Sequence, residues 1–180
     1  MVIMLLISIL LVVIYVGGYI WKYKELPNSI SAMIYELEGS KRYIWQIWLA
    51  LVTVGIAPTL LEATKDNPFQ FIAFFTIAGL MMVSGLPLVR KEKNKAHGII
   101  AICSGILSQV SVTMVCAWWL LVWLPLILIM CCFYFNAFCA DNRFFKAVEG
   151  KGIFLAELAC TISLYGSLLT FLVRWLWTLI

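Results

Sequence analysis

Long apolar runs alternate with short polar segments along the whole chain. Six such runs cover residues 1–21, 43–63, 69–89, 97–116, 118–139 and 153–179. A helix needs roughly 20 apolar residues to cross a bilayer core, so each run is predicted to form a transmembrane helix. The uncharged stretch 98–140 is too long for one helix and is divided near residues 116–119, with Pro125 inside the fifth helix. The pattern predicts an all-α membrane helix bundle of six transmembrane helices, one domain over residues 1–180.

Basic residues predict the orientation of this bundle. Eleven of the thirteen fall into the polar segments 22–42, 90–96 and 140–152, which lie on one side of a six-helix chain. Because short basic loops stay in the cytoplasm, both termini are predicted to lie outside. Tryptophans favour the membrane interface, and they occur at predicted inner ends (Trp21, Trp45, Trp48) and outer ends (Trp118, Trp119, Trp123, Trp175, Trp177).

The first cytoplasmic segment has a helical pattern of its own. Pro-Asn-Ser at 27–29 is typical of a helix start. The apolar residues that follow share one helical face, and they are Ile30, Met33, Ile34 and Leu37. We therefore predict a short amphipathic interfacial helix on the inner membrane surface, whose simplest role is to anchor the loop.

The composition excludes the usual soluble classes. Hydrophobic residues make up 64% of the chain and charged residues 12%, whereas soluble domains are about half apolar and a quarter charged. The net charge is +4, but the chain has no basic tail or aromatic polar platform for nucleic acid. We expect no nucleic-acid partner; the expected partners are the lipid bilayer and a membrane-protein partner or a second copy of the chain.

Two stripes of small polar residues follow the predicted fourth and sixth helices, and Gln109 lies near the first of them. The stripes recur at helical spacing and comprise Ser104, Ser108, Ser111, Ser163, Ser167 and Thr170. Small and polar residues let membrane helices approach closely and hydrogen-bond. Helix packing is therefore the favoured role of the stripes, and a polar transport path is the alternative.

Ionisable groups within the helices mark candidate sites, because a charge at mid-membrane is costly. Two groups are predicted, an inner cluster of His97, Asn136 and Glu157 and an outer group of Glu62, Asp66 and Arg174. The members of each group fall at similar depth in the predicted helices. Each group is either a functional site or a set of paired or snorkelling structural charges.

Catalytic and metal-binding chemistry are disfavoured. The chain has one histidine, which excludes a zinc site built from several histidines. His97 also lies two turns from Ser104 on the same helix and cannot serve that serine as a base. The six cysteines form no CxxC pair and lie within or beside apolar runs, where packing explains them. We expect no metal, no cofactor and no enzymatic activity.

Two short segments resemble a known group of proteins. Residues 26–32 (LPNSISA) followed by Tyr35, and residues 97–101 (HGIIA), are similar to segments of small polytopic proteins of gut Bacteroides-type bacteria and their prophages. The resemblance implies a bacterial inner (cytoplasmic) membrane and implies no activity. We therefore expect a non-enzymatic, membrane-embedded accessory, scaffold or effector subunit. The alternative is a small oligomeric transporter or channel that uses the polar stripes.

Overall fold

The structure, a computed structural model, describes residues 1–31, 33–89, 95–134 and 151–178. Within these ranges the chain is helical and contains no strand. The α-helices are α1 (Val2–Tyr23), α2 (Lys41–Thr64), α3 (Phe71–Val89), α4 (Lys95–Cys116), α5 (Trp123–Tyr134) and α6 (Gly152–Trp177). A 3-10 turn, Met33–Glu36, precedes α2, and a 3-10 segment, Ala117–Val122, joins α4 to α5.

The helix bounds follow the apolar runs. Five of the six runs coincide with one α-helix to within two residues at each end, and the end of the fifth run lies outside the described residues. In the described part of the chain, four stretches are long and apolar enough to cross a membrane, Val2–Tyr23, Lys41–Thr64, Ala96–Ile129 and Gly152–Trp177. Phe71–Gly85 is a shorter apolar helix. The expected all-helical class is confirmed, with four helical stretches compatible with a membrane.

The stretch Ala96–Ile129 is interrupted at Cys116, as its length predicted. Cys116 has an extended backbone (φ −162°, ψ 91°) and ends α4. Trp123 Nε1 donates a 3.0 Å hydrogen bond to Gln109 Oε1, fourteen residues earlier. A continuous helix would separate these residues by about 21 Å along its axis. The chain therefore turns back on α4 at this point.

Pro125 lies in the first turn of α5, which begins at Trp123, and not in the interior of the fifth helix. The first N–H groups of a helix have no partner within it, so a proline there removes no helical hydrogen bond. Pro125 therefore does not require a kink in α5. Pro58, by contrast, lies in the interior of α2.

α6 occupies a central place in the described bundle. It contacts α2, α4, α5 and the second 3-10 segment, while α1 packs on α2, and α3 packs on both α2 and α4. The buried Ser8 and Tyr165 hydroxyls pair across α1 and α6, and Ser8 Oγ donates to the Val52 carbonyl of α2 at 2.8 Å. α1, α2 and α6 are thus joined by one buried hydroxyl network.

Close helix contacts occur where a glycine meets a serine. A Cβ at Gly55 of α2 would lie 2.6 Å from Ser8 Cβ and 2.9 Å from the Met4 carbonyl oxygen of α1. Gly79 of α3 meets Ser104 of α4 in the same manner. These contacts are the small-residue packing by which membrane helices approach one another.

The first loop differs from the predicted amphipathic α-helix. Its helical part is the single 3-10 turn Met33–Glu36, among the residues described there. Met33 and Ile34 are only 0% and 1% exposed, and the cluster that buries them includes Trp45, Trp48, Leu49 and Phe154. The segment fills the end of the bundle where α1 ends and α2, α4 and α6 begin, which we call the loop end. An interfacial helix with its apolar face on a membrane is therefore not the observed structure.

Candidate binding cavity

Glu157, on the second turn of α6, is bound by the first loop. Its carboxylate accepts hydrogen bonds from Ser29 Oγ at 3.0 and 3.1 Å and from the Ser31 N–H at 3.2 Å. The Ile30 N–H and the Ser31 hydroxyl also donate to it. These bonds tie residues 29–31 of the first loop to α6.

A second contact ties the same loop to the beginning of α6. Lys151 Nζ donates a 2.7 Å hydrogen bond to Asn28 Oδ1. Lys151 therefore binds a neutral amide, and no described basic side chain forms an ion pair with Glu157. Among the described residues, the donors to the Glu157 carboxylate are uncharged hydroxyls and backbone amides.

His97 lies at the same end of the bundle as Glu157. It is 3% exposed, and its ring stands edge-on to Tyr35 with 5.1 Å between ring centroids. Burial raises the pKa of Tyr35, and nearby Arg42 partly offsets this rise. His97 and Glu157 line one cavity, but the described hydrogen bonds to the carboxylate come from the first loop. Asn136, the third residue of the predicted inner cluster, lies outside the described residues.

The cavity lies between α4 and α6 and has a volume of about 650 Å³. Lining residues of α4 run from His97 to Thr113, which corresponds to about 24 Å at the rise of an α-helix. Leu120 and Trp123 line the cavity beyond the end of α4. Ser29, Ser31 and Glu157 line the part of the cavity at the loop end. The volume is typical of a site for one small ligand.

Small residues on both helices leave this space open. The lining includes Gly98, Ala101 and Gly105 on α4, and Gly152 and Ala156 on α6. A Cβ at Gly98 would meet nothing within 4 Å, and one at Gly105 would meet only Cys160 Sγ at 3.6 Å. The result is an elongated apolar cavity with one polar end.

The polar stripes of α4 and α6 are hydrogen-bonded within the bundle. Five hydroxyls donate to carbonyls of their own helix, in the pairs Ser104–Ile100, Ser108–Gly105, Ser163–Ala159, Ser167–Leu164 and Thr170–Gly166. Ser111 instead pairs with the Thr76 hydroxyl of α3 at 3.0 Å, and Thr170 also accepts from Trp119 Nε1. These bonds satisfy the hydroxyls without water.

Gln109 is a polar residue whose part the sequence pattern understated. Its Oε1 accepts from Trp123 Nε1 at 3.0 Å, and it lies 2.7 Å from Ser163 Oγ, whose single hydroxyl proton it shares with the Ala159 carbonyl. Its Nε2 donates to Ser108 Oγ at 3.0 Å and to the Cys160 carbonyl at 3.4 Å. One amide therefore joins α4, α6 and the start of α5. The available signal was the single amide side chain in α4, next to the serine stripe.

The three residues of the predicted outer group form no hydrogen bond or ion pair with one another among the described contacts. Glu62 forms an ion pair with Lys65, one turn further along the chain, and this contact raises the pKa of Lys65. No described hydrogen bond or ion pair joins Arg174, which is exposed near the end of α6, to Glu62 or to Asp66. Lys65 pairs with Glu62 in preference to Arg174 because it is only three residues away, and residues three apart are neighbours on a helix.

The described residues include no group of three or more His, Cys, Asp or Glu side chains placed to hold a metal ion. In comparisons with known proteins, no family profile, curated protein or solved structure matches this chain. What the protein does is therefore inferred from the cavity and its polar end.

Proposed function

We propose that this chain is a non-enzymatic integral membrane protein, an accessory or effector subunit that binds a ligand from the bilayer in the α4–α6 cavity. The observation that carries this proposal is the elongated cavity of about 650 Å³ with apolar walls and a carboxylate at one end. Ile102 and Ile106, which line it, are largely exposed, so its opening is apolar. An apolar opening favours entry from lipid over entry from water.

Transport along the polar stripes has less support. A polar path needs groups that can exchange their partners with water or an ion, whereas the stripe hydroxyls already donate within the helices. Gln109, midway along the cavity, also has both its amide groups engaged. The polar residues therefore support packing, and the apolar cavity supports binding.

The proposal includes six membrane spans, both termini outside and a bacterial inner membrane. The clustering of basic residues in three segments supports this orientation. The resemblance of residues 26–32 and 97–101 to proteins of Bacteroides-type bacteria and their prophages supports the choice of membrane. The first loop and the polar end of the cavity then face the cytoplasm.

Single cysteines at Lys24 and Lys65 test the orientation in a background without native cysteines. The two positions follow α1 and α2 directly and are both exposed. An impermeant thiol reagent applied to intact cells should label position 65 and not position 24, because we place only position 65 outside. Both should react after permeabilisation. Labelling of position 24 in intact cells would contradict the orientation.

Filling the cavity tests the proposed function. A leucine at Gly98 enters open space in the cavity wall, while a leucine at Gly18 of α1 also meets nothing within 4 Å but lies elsewhere. Native mass spectrometry after mild extraction should find a bound small amphiphile or lipid on wild type and on Gly18→Leu, and little on Gly98→Leu. The proposal fails if wild type carries no ligand or if the three proteins carry it equally.

A further inference from the structure

The charge at the polar end restricts which ligands the cavity accepts. Glu157 is the only acidic residue among those that line it, and no lysine or arginine lines it in the described structure. Hydroxyl and amide donors stabilise the Glu157 carboxylate, but they are neutral, and no lysine or arginine of the described residues forms an ion pair with it. In surroundings of low polarity such a charge acts strongly on a ligand nearby.

We propose that the cavity binds single-chain cationic amphiphiles, with the alkyl chain along α4 and α6 and the cationic head beside Glu157. This inference rests on the proposed function and adds the chemical class of the ligand. An anionic head in the same place would be repelled by the Glu157 charge, and no lysine or arginine among the described lining residues offsets this repulsion, so it is disfavoured. A neutral head gains no charge attraction there.

The hydrogen bonds of Glu157 also indicate the kind of cation. Two N–H groups and two hydroxyls already occupy the carboxylate oxygens, which leaves little room for a further donor. A quaternary ammonium group has no N–H to donate and is attracted by charge alone. We therefore expect quaternary ammonium heads to fit at least as well as primary amines.

Length and volume favour a single chain. The lining of α4 from His97 to Thr113 extends about 24 Å. One leaflet of the bilayer core is roughly 15 Å thick, so the cavity is long enough for one extended alkyl chain. A volume of about 650 Å³ suits one drug-sized molecule. An alkyl chain lying against Ala101, Gly105 and Ala156 would bury apolar surface along its length, which is the main favourable contribution to binding.

Three probes with the same dodecyl chain test this inference. Dodecyltrimethylammonium, dodecyl maltoside and dodecyl sulfate would each be titrated into the full-length protein in zwitterionic lipid nanodiscs. Trp123 lines the cavity, so quenching of tryptophan fluorescence by brominated analogues of the three probes reports occupancy. Empty nanodiscs measure partitioning into lipid. We expect saturable binding of the cation, at least about tenfold tighter than that of the other two.

Variants of Glu157 separate charge from shape. Glu157→Gln keeps the size and one acceptor oxygen, and it should weaken binding of the cation by about tenfold or more while changing binding of the maltoside little. Glu157→Asp keeps the charge and should bind the cation more tightly than Glu157→Gln does. Thermal unfolding is measured on both variants. A loss of stability in one of them can therefore be told apart from a loss of affinity for the cation.

Each other outcome has a definite meaning. Equal binding of the three probes, each abolished by Gly98→Leu, would overturn the cationic class and leave the proposed function standing. Binding of the cation that Glu157→Gln does not change would overturn the class in the same way. If no probe binds, or if Gly98→Leu binds as wild type does, both the inference and the proposed cavity function fail.

Discussion

Glu157→Leu is expected to give the largest loss of stability of any substitution at the polar end of the cavity. The Ile30 and Ser31 N–H groups and the two serine hydroxyls lose their shared acceptor. Removing one partner of buried polar groups costs about 1–3 kcal/mol per group left unmet. Water can reach part of this loop, so we expect a total of about 2–4 kcal/mol. For a chain of this length that lowers Tm by roughly 5–15 °C, measured in detergent.

A double-mutant cycle checks the cause. Glu157→Ala and Ser31→Ala should couple by more than about 0.5 kcal/mol, because their side chains are in contact. Glu157→Ala and His97→Ala should be closer to additive, since the described bonds of the carboxylate run to the loop. Glu62→Ala is the matched control, because its ion pair is exposed and exposed pairs contribute little. If the stability losses of Glu157→Ala and Ser31→Ala are additive, the hydrogen bond between these two residues does not hold the first loop in place.

Gly55→Leu is expected to separate α1 from α2. Its Cβ would approach Ser8 Cβ to 2.6 Å and the Met4 carbonyl oxygen to 2.9 Å, and a backbone oxygen cannot turn aside as a side chain can. The helix must shift, which breaks the bonds of Ser8 to Val52 and Tyr165. Overpacking of this kind costs about 1–3 kcal/mol, and the lost buried bonds add to it.

Thermal unfolding in detergent measures this second effect, with Gly18→Leu as the control on the same helix pair. Gly18 of α1 faces open space, so its leucine should leave Tm almost unchanged. Tyr165→Phe combined with Gly55→Leu should lose little more than Gly55→Leu alone, because the Ser8 contact is already broken. An unchanged Tm for Gly55→Leu would mean that α1 does not pack on α2 as described.

Much of the helical architecture followed from the sequence alone. The length of an apolar run sets where a membrane helix begins and ends, and the helix bounds agree with five runs to within two residues. The break near Cys116 was predictable for the same reason, because 98–140 exceeds the length of one span. The ion pair of Glu62 with Lys65 could also have been predicted, since residues three apart are neighbours on a helix.

The candidate site was only partly predictable. His97 and Glu157 were expected at one depth, and they do line one cavity. The partners of Glu157 were not expected, because Ser29 and Ser31 lie in a segment whose apolar period predicted an amphipathic helix. The part of Gln109 in joining α4, α6 and α5 depends on the turn at Cys116, whose direction the sequence pattern does not specify.

The sequence by itself determined the helical class, the bounds of five helices and the small-residue character of the contacts, because these depend on hydrophobicity and spacing within one segment. Only the tertiary structure decided how the first loop folds and where a cavity remains. Ser29 bonds a carboxylate 128 residues away, and the described residues of the segment 30–37, whose period predicted an α-helix, form only the 3-10 turn Met33–Glu36. The cavity likewise exists because small residues of two distant helices face each other, and facing is a property of packing rather than of sequence.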